Sequence, residues 1–322
     1  MHGQGRMYRR ILVTGISGIL GATLRHIQAE YPGVEWTFNG RADCDLRDAR
    51  ACLAYVARVR PDAILQLAAV SGGIGLSMRH PATMLRDNVL VNLSVLEAAR
   101  LVGVGKLVLA LSSGMYPADA PPPIAETAIH DGPAHETNYG YAYAKRLLEP
   151  AVRAYREEFG LNVIGLVPNA LYGPFDRFDQ ESGTVVRALI SRFYEARAGS
   201  DPVRVWGDGT PLRELTYAED AARAFMWGLD HYDDARILNV GSTEEHSIRD
   251  IALAIADEFG LDRDRVTFDP SRPGGIPRRR TDNTVFVQRS HFHFTPFREG
   301  IRKTVAWYES HARREDGRLH LS

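Results

Sequence analysis

Short apolar runs alternate with amphipathic stretches through the first half of this 322-residue chain. Val34 to Phe38, Ala63 to Leu67, Lys106 to Leu111 and Asn162 to Val167 read as buried strands, and Arg9 to Thr14 as another that runs into a turn. Between them Leu85, Val89, Leu93 and Leu96 recur at helical spacing, and Tyr139 to Phe159 is rich in helix formers. Apolar strands alternating with helices predict a doubly wound α/β fold, its parallel sheet covered on both faces. Such a sheet binds its ligand beyond the carboxyl ends of the strands, where Gly15, Ala68, Ser112 and the segment after Val167 converge. Pro150, inside the long helical segment, removes a backbone hydrogen bond and predicts a kink.

Composition sets bounds. A chain that is 44% hydrophobic and 25% charged, with net charge −1, is long enough for one large α/β domain with a smaller lobe. Near-neutral charge gives no electrostatic case for nucleic acid or a membrane surface as partner. No run of about eighteen apolar residues offers a membrane span. Gly15, Gly18 and Gly21 interrupt the N-terminal apolar run, which argues against a secretory signal. Cys44 and Cys52, the only cysteines, lack metal-ligand spacing to the histidines, so no metal and a reducing, cytoplasmic compartment are expected. Pro270 to Arg280 is expected to line a surface cleft, and the end of the chain, 316–322, to be a polar tail.

Three stretches carry candidate chemistry. Gly15-Ile16-Ser17-Gly18-Ile19-Leu20-Gly21 follows a strand and opens a helix. In that setting the first glycine permits a tight turn, the second lets backbone approach a pyrophosphate, and the third lets helix pack on strand. Lysine occurs only at Lys106, Lys145 and Lys303, so 36 of 39 basic residues are arginine, yet Lys145 stands four residues after Tyr141. A compact ammonium beside a phenol favours the phenolate in a way a rigid guanidinium does not. Ser112 arrives in the same crevice at the end of a strand, where its hydroxyl can hold a carbonyl or alcohol oxygen. A phenol with ordinary pKa near 10 needs roughly 4 kcal/mol of preferential phenolate stabilisation to titrate near neutrality.

These motifs stand in the order found in the extended short-chain dehydrogenase/reductase family of NAD-dependent epimerases and dehydratases, which the chain resembles through Thr14-Gly15-x-x-Gly18-x-x-Gly21, Ser112 before Tyr141-x-x-x-Lys145, and Tyr172-Gly173-Pro174. It looks most like the GDP-L-fucose synthase branch, through Gly72-Gly73-Ile74, Ser112-Ser113-Gly114-Met115-Tyr116-Pro117 and Val205-Trp206-Gly207 to Arg213-Glu214. The resemblance implies a Rossmann-type NAD(P)-binding domain (7–174 and 214–243) and a smaller C-terminal α/β lobe (175–213 and 244–315) for a nucleotide-sugar substrate. It also implies a homodimer through helices that include the tyrosine helix. The activity it implies is NADPH-dependent reduction of a GDP-linked 4-keto sugar after epimerisation at carbons 3 and 5. Tyr141 would donate the proton, Lys145 lower its pKa and bind the nicotinamide ribose, and Ser112 position the oxygen.

By the same resemblance the cofactor would touch Gly15, Ser17, Gly18, Ile19, Gly21, Arg41, Asp45, Leu46, Ala68, Ala69 and Pro168 besides Tyr141 and Lys145, and the substrate Ser113, Gly114, Asn169, Arg192, Trp206, Arg213 and Arg279. Departures from the family pattern matter as much. The epimerising cysteine is replaced by Gly114, and the partner histidine aligns with Thr184, so the reading is a 4-keto-reductase that has lost epimerisation, acting on a deoxyhexose or heptose. Asn169 is displaced by one position from the family's asparagine. Phe38-Asn39-Gly40-Arg41 ends the second strand without a carboxylate for the ribose 2′-hydroxyl, and Arg41 favours the 2′-phosphate of NADP. Against this, Ser17 replaces an arginine that the family carries in the glycine turn. The alternatives are a nucleotide-sugar 4-epimerase holding NAD, and a non-catalytic dinucleotide-binding protein.

Overall fold

Each of the five predicted strands forms, its ends displaced by at most one residue from expectation. The computed structural model describes residues 8–178, 185–272, 276–315 and 318–321. In chain order the elements run β1 (Arg10–Thr14), α1 (Ile19–Ile27), β2 (Glu35–Asn39), α2 (Ala49–Val59), β3 (Ala63–Gln66), α3 (Ile74–Arg79), α4 (Pro81–Val102), β4 (Lys106–Ala110), α5 (Tyr139–Arg146), α6 (Leu148–Phe159) and β5 (Val163–Pro168). There follow β6 (Ala170–Tyr172), α7 (Val185–Ala196), β7 (Val203–Trp206), β8 (Leu212–Tyr217), α8 (Ala218–His231), β9 (Leu238–Val240), β10 (Glu245–Ser247), α9 (Ile248–Glu258), β11 (Val266–Asp269), β12 (Arg278–Arg279), α10 (Thr284–Ser290), α11 (Phe297–His311), β13 (Ala312–Glu315) and β14 (Arg318–Leu321). The last two pair antiparallel, so residues 318–321 of the expected polar tail form a strand.

A six-stranded parallel sheet in the order β2-β1-β3-β4-β5-β9 forms the main body. Successive side chains leave a strand on opposite faces, and both faces here are apolar. Leu12, Ile64, Leu107 and Val163 pack with α2, α4 and α6 on one side, whereas Ile11, Leu65, Val108 and Ile164 meet α1 and α8 on the other. A third core lies between α7, α9 and α11 and the strands β7 and β8.

The long helix α4 sits differently from its sequence pattern. Leu85 and Leu93, of the helical-spaced set, face outward, while Met84, Asn88, Val91, Asn92 and Val95 are buried. The buried asparagines hold the wall of the ligand crevice. Asn88 Oδ1 accepts from Val70 N at 2.9 Å and its Nδ2 donates to Val70 O at 2.9 Å, while Asn92 Oδ1 accepts from Gln66 Nε2 at 3.2 Å. Of the helical-spaced set, Leu85 and Leu93 thus lie at the surface, Val89 is half-buried and Leu96 is in the core.

The expected kink appears as the junction of α5 and α6 at Leu147, which places Pro150 in the first turn of α6, where a missing N–H is tolerated. The lobe is built on a second sheet, β10-β8-β12 with β6 also paired to β8, whose strands of two to six residues are too short for periodicity to announce. β12 puts the end of the Pro270–Arg280 stretch into that sheet rather than at a loop rim, whereas residues 273–275 lie outside the described residues.

Candidate active site

The carboxyl ends of β1, β3, β4 and β5 open on a groove of about 680 Å³. Its floor is the turn after β1. Gly15 has φ +75°, and a Cβ there would stand 2.7 Å from the Ala68 Cα and N, so only glycine lets the turn lie against the end of β3. A Cβ on Gly21 would stand 2.4 Å from the Gly15 oxygen, which is how α1 closes onto the turn. Thr14 Oγ1 completes the joint by accepting from Leu67 N and Ala68 N at 3.0 and 3.1 Å. Gly18 caps α1 with no side-chain acceptor, leaving the first-turn amides and the positive end of the helix dipole for an anion. These features fit a dinucleotide pyrophosphate. Every residue expected at the cofactor lines the groove except Gly21, packed behind the turn, and Lys145, buried and bonded to Ala110 O at the end of β4.

At the ribose end the nearby carboxylates are engaged. Asp43 Oδ2 accepts from Gly40 N at 2.8 Å. Asp45 is bound by the Arg47 guanidinium, whose hydrogen bonds bring its carboxyl down to about 2. Arg41 lines the groove without such a partner among the described residues.

Ser112, Tyr141 and Lys145 come together at the other end. Ser112 follows β4, and its Oγ accepts from Gly114 N at 3.2 Å. Tyr141 and Lys145 are one helical turn apart on α5 and share a face. α5 is pressed onto the start of α4 because Gly140 has no Cβ; one there would stand 2.3 Å from Pro81 O. Lys145 is only 2% exposed, and its Nζ donates to Ala110 O at 2.6 Å, 6.0 Å from the centre of the Tyr141 ring. Burial brings its ammonium down to about 8. Burial also raises the Tyr141 phenol, partly offset by a hydrogen bond with Ser112.

The residues expected at the substrate are dispersed. Asn169 lines the groove, but its Oδ1 accepts from Thr216 Oγ1 at 2.5 Å and its Nδ2 donates to Ser242 O at 3.4 Å, so it ties the end of β5 to β8 and to the segment after β9. Ser113 and Gly114 form the turn after Ser112. Arg192, Arg213 and Arg279 donate to the backbone carbonyls of Arg204, Ile276 and Tyr116 at 2.6, 2.8 and 3.0 Å, and Trp206 is 56% exposed. None of these four lines the groove. Thr184 lies outside the described residues. The groove also takes residues that the sequence did not single out: Asn138 at the start of α5, and Asp176, Arg177 and Arg187 beyond Pro174. The Asp-Arg pair soon after Tyr172-Gly173-Pro174 is a local signal for Asp176 and Arg177, whereas Arg187 stands apart from it on α7. Among the described residues no cluster of metal ligands occurs, and no helix is long and apolar enough to cross a membrane.

Comparison with known proteins agrees with this geometry. The model of the NAD dependent epimerase/dehydratase family matches residues 11–241. The chain is 32% identical over 305 residues to a GDP-L-fucose synthase of Dictyostelium discoideum, covering 93% of this chain and 95% of that protein. A crystal structure of a GDP-L-fucose synthetase from Naegleria fowleri bound to NADP matches with a TM-score of 0.88 at 32% identity, covering 95% of each chain. A GDP-mannoheptose C4 reductase from Campylobacter jejuni with NADP bound shares the fold at 21% identity and a TM-score of 0.85, over 95% of this chain and 100% of that one.

Proposed function

The chain belongs to the NAD dependent epimerase/dehydratase family, and we propose that it is a reductase that uses NADPH to reduce the 4-keto group of a GDP-linked deoxyhexose or heptose without altering carbons 3 and 5. The observation that carries this reading is Gly114. A Cβ at that position would stand 3.3 Å from Ser112 Oγ, so the position faces the reacting groups, yet glycine there has no proton to move. Among the described residues the carboxylates lining the groove, Asp45 and Asp176, are both paired with arginine.

Bound NADPH supplies the hydride for carbon 4. The protein must hold the keto oxygen and protonate it. The Ser112 and Tyr141 hydroxyls stand close enough to interact, so one oxygen placed against both receives two donors. A phenol held above its ordinary pKa stays protonated at neutral pH, the state a donor to a developing alkoxide requires. The phenolate left behind is stabilised by the Lys145 ammonium, which remains largely charged below about 8 and is fixed by Ala110 O. Mixing the protein with NADPH and GDP-4-keto-6-deoxymannose should remove the reduced-nicotinamide absorbance. No loss with bound NADPH would refute this substrate assignment.

The outward apolar stripe supports the homodimer. Leu85 and Leu93 of α4, with Tyr139, Tyr143 and Leu147 along α5 and its end, are each about 40% exposed on neighbouring helices, an arrangement suited to a second copy of the same face. Leu93→Glu should convert a sedimenting dimer to a monomer. A wild-type protein that sediments as a monomer at micromolar concentration would refute the interface.

A further inference from the structure

An arginine from the lobe side reaches the glycine turn. Arg177 Nη2 lies 3.4 Å from both the carbonyl oxygen and the hydroxyl of Ser17, 160 residues earlier in the chain. The segment that carries it is held at both ends. Phe175 adopts φ +67°, a conformation unfavourable for residues other than glycine, and its ring packs between His26 of α1 and Trp307 of α11 at 5.1 and 5.3 Å. Asp176 Oδ1 accepts from Arg177 N at 2.8 Å and from Arg187 Nη1 at 2.9 Å.

The glycine turn and the end of β2 form one rim, because Gly15 N and Ile16 N both donate to Asn39 O, at 3.1 and 3.3 Å. Ser17 lies two residues beyond Gly15 and Arg41 two beyond Asn39. Four guanidinium groups line the groove: Arg41, Arg47, Arg177 and Arg187. Arg47 is paired with Asp45 and Asp87, and Arg187 with Asp176. Among the described residues neither Arg41 nor Arg177 has a carboxylate partner. Two guanidiniums that line one rim with no carboxylate bonded to them suit a dianion.

We propose that Arg177, with Arg41, binds the 2′-phosphate of NADP, replacing from across the molecule the arginine that the resemblance places in the glycine turn, where this chain has Ser17. This assignment rests on the reading that the cofactor is NADP. It makes cofactor selection depend on the segment that joins the sheet domain to the lobe.

The test is the affinity of the full-length protein for NADPH and for NADH, followed by nicotinamide fluorescence, in the unaltered protein, Arg177→Gln and Ser17→Arg/Arg177→Gln. The unaltered protein should prefer NADPH. Arg177→Gln should weaken NADPH about tenfold, leave NADH unchanged and leave the melting temperature without cofactor unchanged, and adding Ser17→Arg should restore NADPH binding. Equal weakening of both cofactors, or no weakening, in a protein that prefers NADPH overturns the role of Arg177 alone. An unaltered protein with no preference for NADPH overturns the NADP reading itself.

Discussion

Tyr141→Phe is expected to lower kcat by about 10²–10⁴-fold while leaving NADPH affinity and the melting temperature unchanged. The ring remains, and the half-buried position keeps its packing, so what is lost is one O–H. Ser112 can still hold the keto oxygen, whereas the phenol O–H, whose ring centre lies 6.0 Å from the Lys145 Nζ, is gone. Steady-state rates at saturating substrate, with cofactor affinity measured separately, distinguish this from a binding defect. A loss smaller than about tenfold would assign the proton to another group.

The second large effect concerns stability. Glu214 of β8 is 4% exposed; its Oε2 accepts from Thr281 N and Oγ1 at 3.0 and 2.7 Å, and its Oε1 from Asn283 Nδ2 at 2.8 Å. Among the described residues no cation is bonded to it, and burial raises its carboxyl to about 7, against the opposing hydrogen bonds and the charge of Arg280. A folded pKa above the ordinary 4.5 means that the folded state holds a proton which the unfolded state releases between these values. The contribution is therefore complete below about 4.5 and is lost as pH rises through about 7, at most about 3 kcal/mol. Glu214→Gln mimics the protonated form and should remove this component. Between pH 5 and pH 7.5 the unaltered protein should lose unfolding free energy relative to the variant. Parallel curves would show that Glu214 does not titrate in this range. The comparison isolates Glu214 from Asp220 and Glu126, whose carboxyls burial also raises.

The parts of the fold that the sequence announces are those with strong local chemistry. A five-residue apolar strand followed by Gly15, Gly18 and Gly21 has few structural solutions, and Tyr141 and Lys145 one turn apart on a helix must share a face. What stays hidden depends on distant contacts. The helical spacing of Leu85, Val89, Leu93 and Leu96 does not tell that Leu96 enters the core while Leu85 and Leu93 face outward, because periodicity reports an apolar face but not what covers it. Asn88 and Asn92 look like surface polar residues until their bonds to Val70 and Gln66 show them building the crevice wall. Asn169 reads as a ligand contact, yet its amide spans from β5 to β8. Arg177 is one arginine among 36, and only the chain's return across 160 residues brings it to Ser17.

The most direct measurement of the central claim is the product formed in heavy water from NADPH and GDP-4-keto-6-deoxymannose, read by mass and proton spectra at each sugar carbon. With Gly114 beside Ser112 and no proton-moving side chain at position 114, carbons 3 and 5 should keep their hydrogens and their configuration while carbon 4 is reduced. Solvent deuterium at carbon 3 or 5, above that in a control without protein and accompanied by inversion, would contradict the account and show that epimerisation persists.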